Sequence, residues 1–375
     1  MRPRSALVIV ALGGTLLAPG TCRAQGPSAH AYLIMDARTG WVLSEHNGFE
    51  RRPPASTTKI LTALVVIERG RLGRVVTVSP RAAATPGSSA HLRAHGRYRV
   101  LDLLRGLLLP SGNDAAVALA EAADGSVSAF VRRMNRRARE LGAVASHFVN
   151  PHGLTAPGHV TTAYDLAVLT RAALRHPLFR ELVTTRSADF GEVGGPVRRL
   201  YNSNRLLATY PGVLGVKTGT TSAAGRCLVA AARRGELTLI GVVLDDPDRF
   251  ADMARLFDRG FREFARVRRR PAAVRVRVRD GERPWVPVVA ARELDAPVPR
   301  AQADGVRLRV WVPRQLLAPV RRHEVVGTAA LVAGTQVLDR TVLRTQAAVP
   351  VDRSLSAALR RGLSLLATIW RIAHP

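Results

Sequence analysis

Apolar runs of strand length stand at two places far apart in this chain, and no other feature constrains its folding more. Near the start, residues 31–34 and 41–43 flank Asp36-Ala37-Arg38-Thr39-Gly40, a turn sequence that predicts a hairpin. Far downstream, residues 227–231 and 237–244 are joined through Arg233-Arg234-Gly235-Glu236 and predict another. Between them, apolar residues recur at helical spacing over 58–69, 100–108, 115–123, 127–141 and 163–175, and again after them over 248–265. Strands at both ends can share one sheet only if distant parts of the chain come together, with the helices packed on its faces. The fold class is therefore α/β in the α+β sense.

Within 58–69, Ile60, Leu64 and Ile67 mark a buried helix, and Pro54 upstream suits its entry. Ser56 and Lys59 fall three apart near that entry, a hydroxyl beside an amine in an apolar setting. A serine hydroxyl is a weak nucleophile until a base takes its proton. A lysine can do so only when desolvation or a second cation lowers its pKa. Such a pair arises by chance in most chains, usually as an N-cap serine and a solvated lysine. Composition sets this one apart: of 56 lysines and arginines, only Lys59 and Lys217 are lysine. Arginine keeps its proton at any working pH, so a chain this biased retains lysine where a compact or deprotonatable amine is needed.

Lys217 stands in Gly215-Val216-Lys217-Thr218-Gly219-Thr220, ahead of an apolar run. A strand with Lys-Thr-Gly offers a cation, a hydroxyl and a glycine that lets a ligand approach the backbone, which suits a carboxylate. Between the two lysines, Leu109-Pro110-Ser111-Gly112-Asn113-Asp114 closes one apolar run and opens a helix at Ala115, adding a hydroxyl and an amide.

Ser-x-x-Lys, Ser-Gly-Asn and Lys-Thr-Gly in this order form the motif set of penicillin-binding proteins and class A β-lactamases, with Ser-Gly-Asn in place of Ser-Asp-Asn. Gly87-Ser88-Ser89, Asn150-Pro151-His152-Gly153-Leu154, residues 162–167 and Asn202-Ser203-Asn204-Arg205-Leu206-Leu207 extend the match. From about residue 30 to 265 the chain resembles the serine-type D-alanyl-D-alanine carboxypeptidases of peptidase family S11, low-molecular-mass penicillin-binding proteins. The resemblance implies a β-lactamase/transpeptidase-like domain, an antiparallel sheet with helices on its faces. It also implies roles. Ser56 would attack the carbonyl between two D-alanines and form an acyl-enzyme, with Lys59 accepting the proton and Lys217 helping to hold Lys59 neutral. Ser111 would relay a proton to the leaving D-alanine, and Asn113 would hold the substrate's peptide amide. Lys217 and Thr218 would bind the terminal carboxylate, and the backbone N–H groups of Ser56 and Thr220 would form the oxyanion hole. Thr220 departs from the bulkier residue common after Lys-Thr-Gly. The implied activity is removal of the terminal D-alanine from peptidoglycan pentapeptides in cell-wall biosynthesis, with β-lactams as covalent inhibitors. A DD-endopeptidase, a β-lactamase or a non-catalytic wall scaffold are the alternatives. No acidic residue is placed to drive fast β-lactam deacylation, and a scaffold would not require Ser56, Lys59, Ser111 and Lys217.

A chain of 375 residues exceeds what one core usually organises. After Arg268-Arg269-Arg270-Pro271, Val274, Val276 and Val278 alternate with arginines, as do Val306, Leu308, Val310 and Val312. The division expected is a peptidase domain over 25–268 and a small β-sandwich-like domain over 271–350, the latter a spacer or docking module. Residues 1–24, with Arg2 and Arg4 before an apolar run and Cys22-Arg23-Ala24 after it, read as an export signal, placing the enzyme at the periplasmic or extracytoplasmic membrane face. Cleavage there leaves Cys227 alone, without an intrachain disulfide. Over 353–373, Leu355, Leu359, Leu363, Leu366, Ile369 and Trp370 gather on one helical face and Arg353, Arg360 and Arg371 on the other, predicting an amphipathic anchor lying in a membrane interface. The same helix docked on the β domain is the alternative. A net charge of +28 invites a nucleic-acid reading, yet the arginines are scattered, aromatics are 5% and no nucleic-acid module is visible. The expectation is attraction to anionic envelope polymers and lipid. The ten histidines form no H-E-x-x-H pattern, and neither metal nor cofactor is expected.

Overall fold

A computed structural model describes residues 26–354. The export signal expected over 1–24 and nearly all of the helix expected over 353–373 lie outside the described residues.

The two predicted hairpins do meet. Five antiparallel strands run in the order Val42–His46, Ala31–Asp36, Leu237–Leu244, Gly225–Arg234 and Val213–Thr221, with Ala31 opposite Leu244. The two-residue period of a strand assigns the faces. Leu228, Ala230 and Ala232 pack under helix Arg249–Glu263 through Met253, Leu256 and Phe257. Val229, Ala231, Ile240 and Val242 face the other helical layer. At the centre of that layer is helix Lys59–Arg69, whose residues from Ile60 to Val66 are all buried, as befits a helix apolar all round. Helices Val100–Leu108, Asn113–Asp124, Val127–Leu141 and Ala163–Ala173 surround it. Close seating of the outer helix requires glycine in the sheet. A Cβ on Gly241 would stand 2.3 Å from Met253 Sδ.

The helix expected over 248–265 stops at Glu263, because Phe264–Arg269 is a strand paired antiparallel with Leu294–Pro299. Beyond it, six strands form a second sheet in the order Val306–Trp311, Val325–Ala333, Gln336–Thr345, Trp285–Ala290, Val274–Arg279 and Gln315–Leu317. Val276 and Val278 enter its core, as the alternation predicts. Along Val306–Trp311 the alternation misleads: this is an edge strand, and only Val306 is buried.

Charge is buried at the seam between the two units. Arg266, on strand Phe264–Arg269, pairs with Asp36 of the first sheet, and its Nη1 lies 2.7 Å from Asp295 Oδ1 on the partner strand Leu294–Pro299, whose apolar residues pack into the second core. Arg38 adds a 2.6 Å contact to Asp295, while Trp41 packs against the second core.

Candidate active site

Ser56 lies in a 3-10 turn, Ala55–Thr58, that feeds directly into the central helix. Ala55 has φ +47°, a left-handed conformation that a non-glycine residue adopts only when its surroundings impose it. Those surroundings are visible. Thr57 Oγ1 donates to Pro54 O at 2.7 Å and Thr58 Oγ1 to Ala55 O at 2.9 Å. The Val149 N–H donates to His159 Nδ1 at 3.0 Å, so the Nε2 of a neutral ring carries the hydrogen and faces Thr58 Oγ1 at 2.9 Å. Burial holds His159 in that neutral form, lowering its pKa from 6.5 to about 4. Gly153, at φ +93°, presses on the same turn, and a Cβ there would fall 1.9 Å from Ala55 O.

Lys59 is fully buried, and its Nζ has three partners: Ser56 Oγ at 2.8 Å, Asn113 Oδ1 at 2.7 Å and His152 O at 2.7 Å. Burial lowers its pKa well below the ordinary lysine value, the Lys217 charge lowers it further, and Asp114 opposes them. A neutral amine has two hydrogens and one lone pair. An amide oxygen and a backbone carbonyl can only accept, so the lone pair has one possible donor, the Ser56 hydroxyl. The Asn150–Leu154 segment, which in the sequence only extends the family match, thus supplies a carbonyl that orients the amine.

Asn113 donates from Nδ2 to Pro86 O at 2.7 Å while its Oδ1 accepts from Lys59, leaving one Nδ2 hydrogen for a ligand. Glycine between Ser111 and Asn113 is a steric requirement, since a Cβ on Gly112 would stand 2.6 Å from Asp114 Oδ1 and 2.8 Å from Ala90 N. Ser111 has φ +71°, and its buried Oγ has no partner among the described residues. Such a group is costly unless something is meant to meet it.

Strand Val213–Thr221 is the sheet's edge, and its Lys217 is 1% exposed. The Lys217 Nζ donates only to Thr218 O, at 3.1 Å, among the described residues. Burial, then the nearby Arg249 charge, lowers its pKa to about 7. Gly219 does admit close approach, but what approaches is the nucleophile's own turn. A Cβ there would lie 2.9 Å from Ser56 N and 3.1 Å from Ala55 Cβ. The strand's outer edge and the Ser56 backbone therefore converge, the arrangement a two-donor oxyanion hole needs. Thr218 Oγ1 lies 2.7 Å from Ser203 Oγ, and Thr220 Oγ1 donates to Gly219 O at 2.7 Å. Arg249 Nη1 donates to Gly219 O at 2.7 Å and to Thr220 Oγ1 at 2.9 Å. Ser203 and Arg249 were not identified as site residues from the sequence. Ser203 lies in the family-matching segment 202–207, and Arg249 carries no sequence signal. Cys227 is buried in the next strand with its thiol pushed up to about 11, and it packs rather than reacts.

A half-buried serine beside a buried lysine, a second hydroxyl, a second buried lysine and a pair of converging backbones are the parts a serine acyl-transfer site needs. Comparison with known proteins makes the class specific. Residues 21–248 match the family model for D-alanyl-D-alanine carboxypeptidase, and residues 271–351 match that for the penicillin-binding protein 5 C-terminal domain. The chain is 32% identical to the D-alanyl-D-alanine carboxypeptidase DacF of Bacillus subtilis, over 83% of each chain. It is 37% identical to DacC of Escherichia coli, over 82% of this chain and 81% of that one. Penicillin-binding protein 5 of Haemophilus influenzae superposes with a TM-score of 0.76 at 28% identity, covering 88% of this chain and all of the other (100%). The Streptomyces K15 DD-transpeptidase gives 0.61 at 34% identity, over 64% of this chain and 99% of that one. The chain belongs to the D-alanyl-D-alanine carboxypeptidase family of serine hydrolases.

Proposed function

We propose that Ser56 is the acylated nucleophile of a D-alanyl-D-alanine carboxypeptidase and that Lys59 is its base. One observation carries this reading: of the three groups around the buried Lys59 Nζ, only the Ser56 hydroxyl has a hydrogen to give. The substrate is a peptidoglycan stem ending in D-Ala-D-Ala. Ser56 Oγ attacks the carbonyl carbon of the penultimate D-alanine, its proton passes to Lys59, and the oxyanion is met by the N–H groups of Ser56 and Thr220. The amide bond breaks as the leaving nitrogen takes a proton relayed by Ser111. Water then cleaves the ester and restores the serine. Asn113 holds the stem's amide through its free Nδ2 hydrogen. Lys217 and Thr218, with Arg249 beside them, take the terminal carboxylate, which confines cleavage to a free C-terminus. A β-lactam enters by the same attack and remains as the acyl-enzyme.

Mass spectrometry after incubation with benzylpenicillin tests the assignment. A covalent adduct on the Ser56 peptide, absent in Ser56→Ala, is expected, together with release of free D-alanine from a pentapeptide. Folded protein that gains no adduct at Ser56 would remove the proposal.

The enzyme works outside the cytoplasmic membrane, with 1–24 as export signal, 25–268 as peptidase domain, 271–350 as β domain and 353–373 as peripheral anchor. The two family matches support the division, and no described helix is long and apolar enough to cross a membrane. Sequencing the secreted form should find Gln25 first, and deletion of 353–373 should weaken its attachment to membranes.

A further inference from the structure

The second sheet presents a face that the peptidase reaction does not use. Along Val274–Arg279, Arg275, Arg277 and Arg279 are exposed opposite the buried Val276 and Val278. Arg279 reaches Asp280 at 3.4 Å, but Arg275 and Arg277 form no ion pair or side-chain hydrogen bond with any described residue. Strand register sets apolar groups among them. Arg275 stands opposite Pro287, Arg277 opposite Trp285, and Arg279 opposite Leu317, and directly opposed residues share a face. Trp285 is 42% exposed and Leu317 63%. One strand further on, the exposed Arg344 faces Val289 on the same side. The chain also leaves this unit at the same edge: Val351 bridges to Gly281, and the Asp352 N–H donates to Asp280 O at 2.9 Å.

We propose that this face rests on an anionic phospholipid surface. Guanidinium forks match phosphate geometry, and tryptophan favours the boundary between water and acyl chains. The guanidinium groups of Arg275, Arg277, Arg279 and Arg344 meet lipid phosphates, while Trp285 and Leu317 enter the headgroup layer. A wall polyanion would attract the same arginines, but it offers Trp285 and Leu317 nothing to bury in. The contact belongs to the folded sheet and is separate from any made by residues 353–373. It lays the β unit flat against the surface and so fixes which way the Ser56 cleft opens.

The full chain is tested by sedimentation with vesicles of phosphatidylcholine and phosphatidylglycerol. Arg275→Gln with Arg277→Gln lowers partitioning about 30-fold, near fivefold per arginine. The same charge change at Arg132 and Arg136, exposed on helix Val127–Leu141, leaves it nearly unchanged. In a Trp370→Phe background, which silences the tail, brominated lipid quenches fluorescence that Trp285→Phe removes and Trp311→Phe does not. Benzylpenicillin acylation confirms that each variant is folded. Equal weakening by the two arginine pairs overturns the proposal, as does quenching that survives Trp285→Phe. Binding to isolated peptidoglycan that is lost in the face variant while vesicle binding persists reassigns the face to the wall.

Discussion

The Ser203 hydroxyl lies 2.7 Å from that of Thr218, while its N–H donates to Leu109 O at 3.1 Å, so one small residue ties the Lys-Thr-Gly strand to the Ser111 turn. Thr218 then has a fixed rotamer for the carboxylate it is proposed to bind. Ser203→Ala should raise KM for a D-Ala-D-Ala peptide about fivefold, the worth of one hydrogen bond of ~1 kcal/mol, and leave kcat nearly unchanged. Ser203→Thr should restore KM. Steady-state kinetics decide it, and a drop in kcat at constant KM would contradict a positioning role. The sequence hides such a residue, because one hydroxyl in Asn-Ser-Asn has no pattern to mark it. Arg249 is hidden differently, among dozens of other arginines, until folding brings it to Gly219 O. The two lysines were legible for the converse reason: arginine fills nearly every other cationic position.

At the scale of elements, legibility followed caps. Helix Val127–Leu141 has the boundaries its sequence predicts, with Ser126 accepting from Ala129 N at its start and Gly142 at φ +93° at its end. Helix Pro177–Thr184 and the hairpin Ser187–Gly191/Val197–Tyr201 were not anticipated. The hairpin buries only one residue per strand, Phe190 and Leu200, too few to show a period. The sequence presents the turn bearing Ser56 as a helix entry, and its true shape depends on Gly153 and His159 from a loop far along the chain. That support titrates. Protonating His159 would put a hydrogen on Nδ1, against the Val149 N–H that already points there. Its folded pKa of about 4 lies below the ordinary 6.5, so the unfolded chain takes the proton first. The stability contributed is whole above pH 6.5 and is lost as pH falls toward 4. Burial lowers His152 to about 3, which adds in the same direction. Melting temperature and benzylpenicillin acylation should fall together over that window. His159→Gln should be less stable at neutral pH and lose less on acidification. An equal acid slope in the variant would acquit the histidine.

Across the whole molecule, the seam between the two units is a buried charge network rather than a flexible linker. Arg266, 3% exposed at its side chain, serves both Asp36 and Asp295. Arg266→Ala would leave two buried carboxylates short of a partner, a loss of about 3 kcal/mol. Calorimetry should show one transition for the native chain and two for the variant. Two transitions in both would mean that the seam does not couple the units. A boundary drawn at residue 271, where the second family match begins, severs strand Phe264–Arg269 from its partner Leu294–Pro299 and strips Asp295 of both Arg266 and Arg268. The β unit is therefore not a cassette that can be exchanged between peptidases at that point. A chimera would have to carry the preceding strand with it and meet a carboxylate where this chain has Asp36.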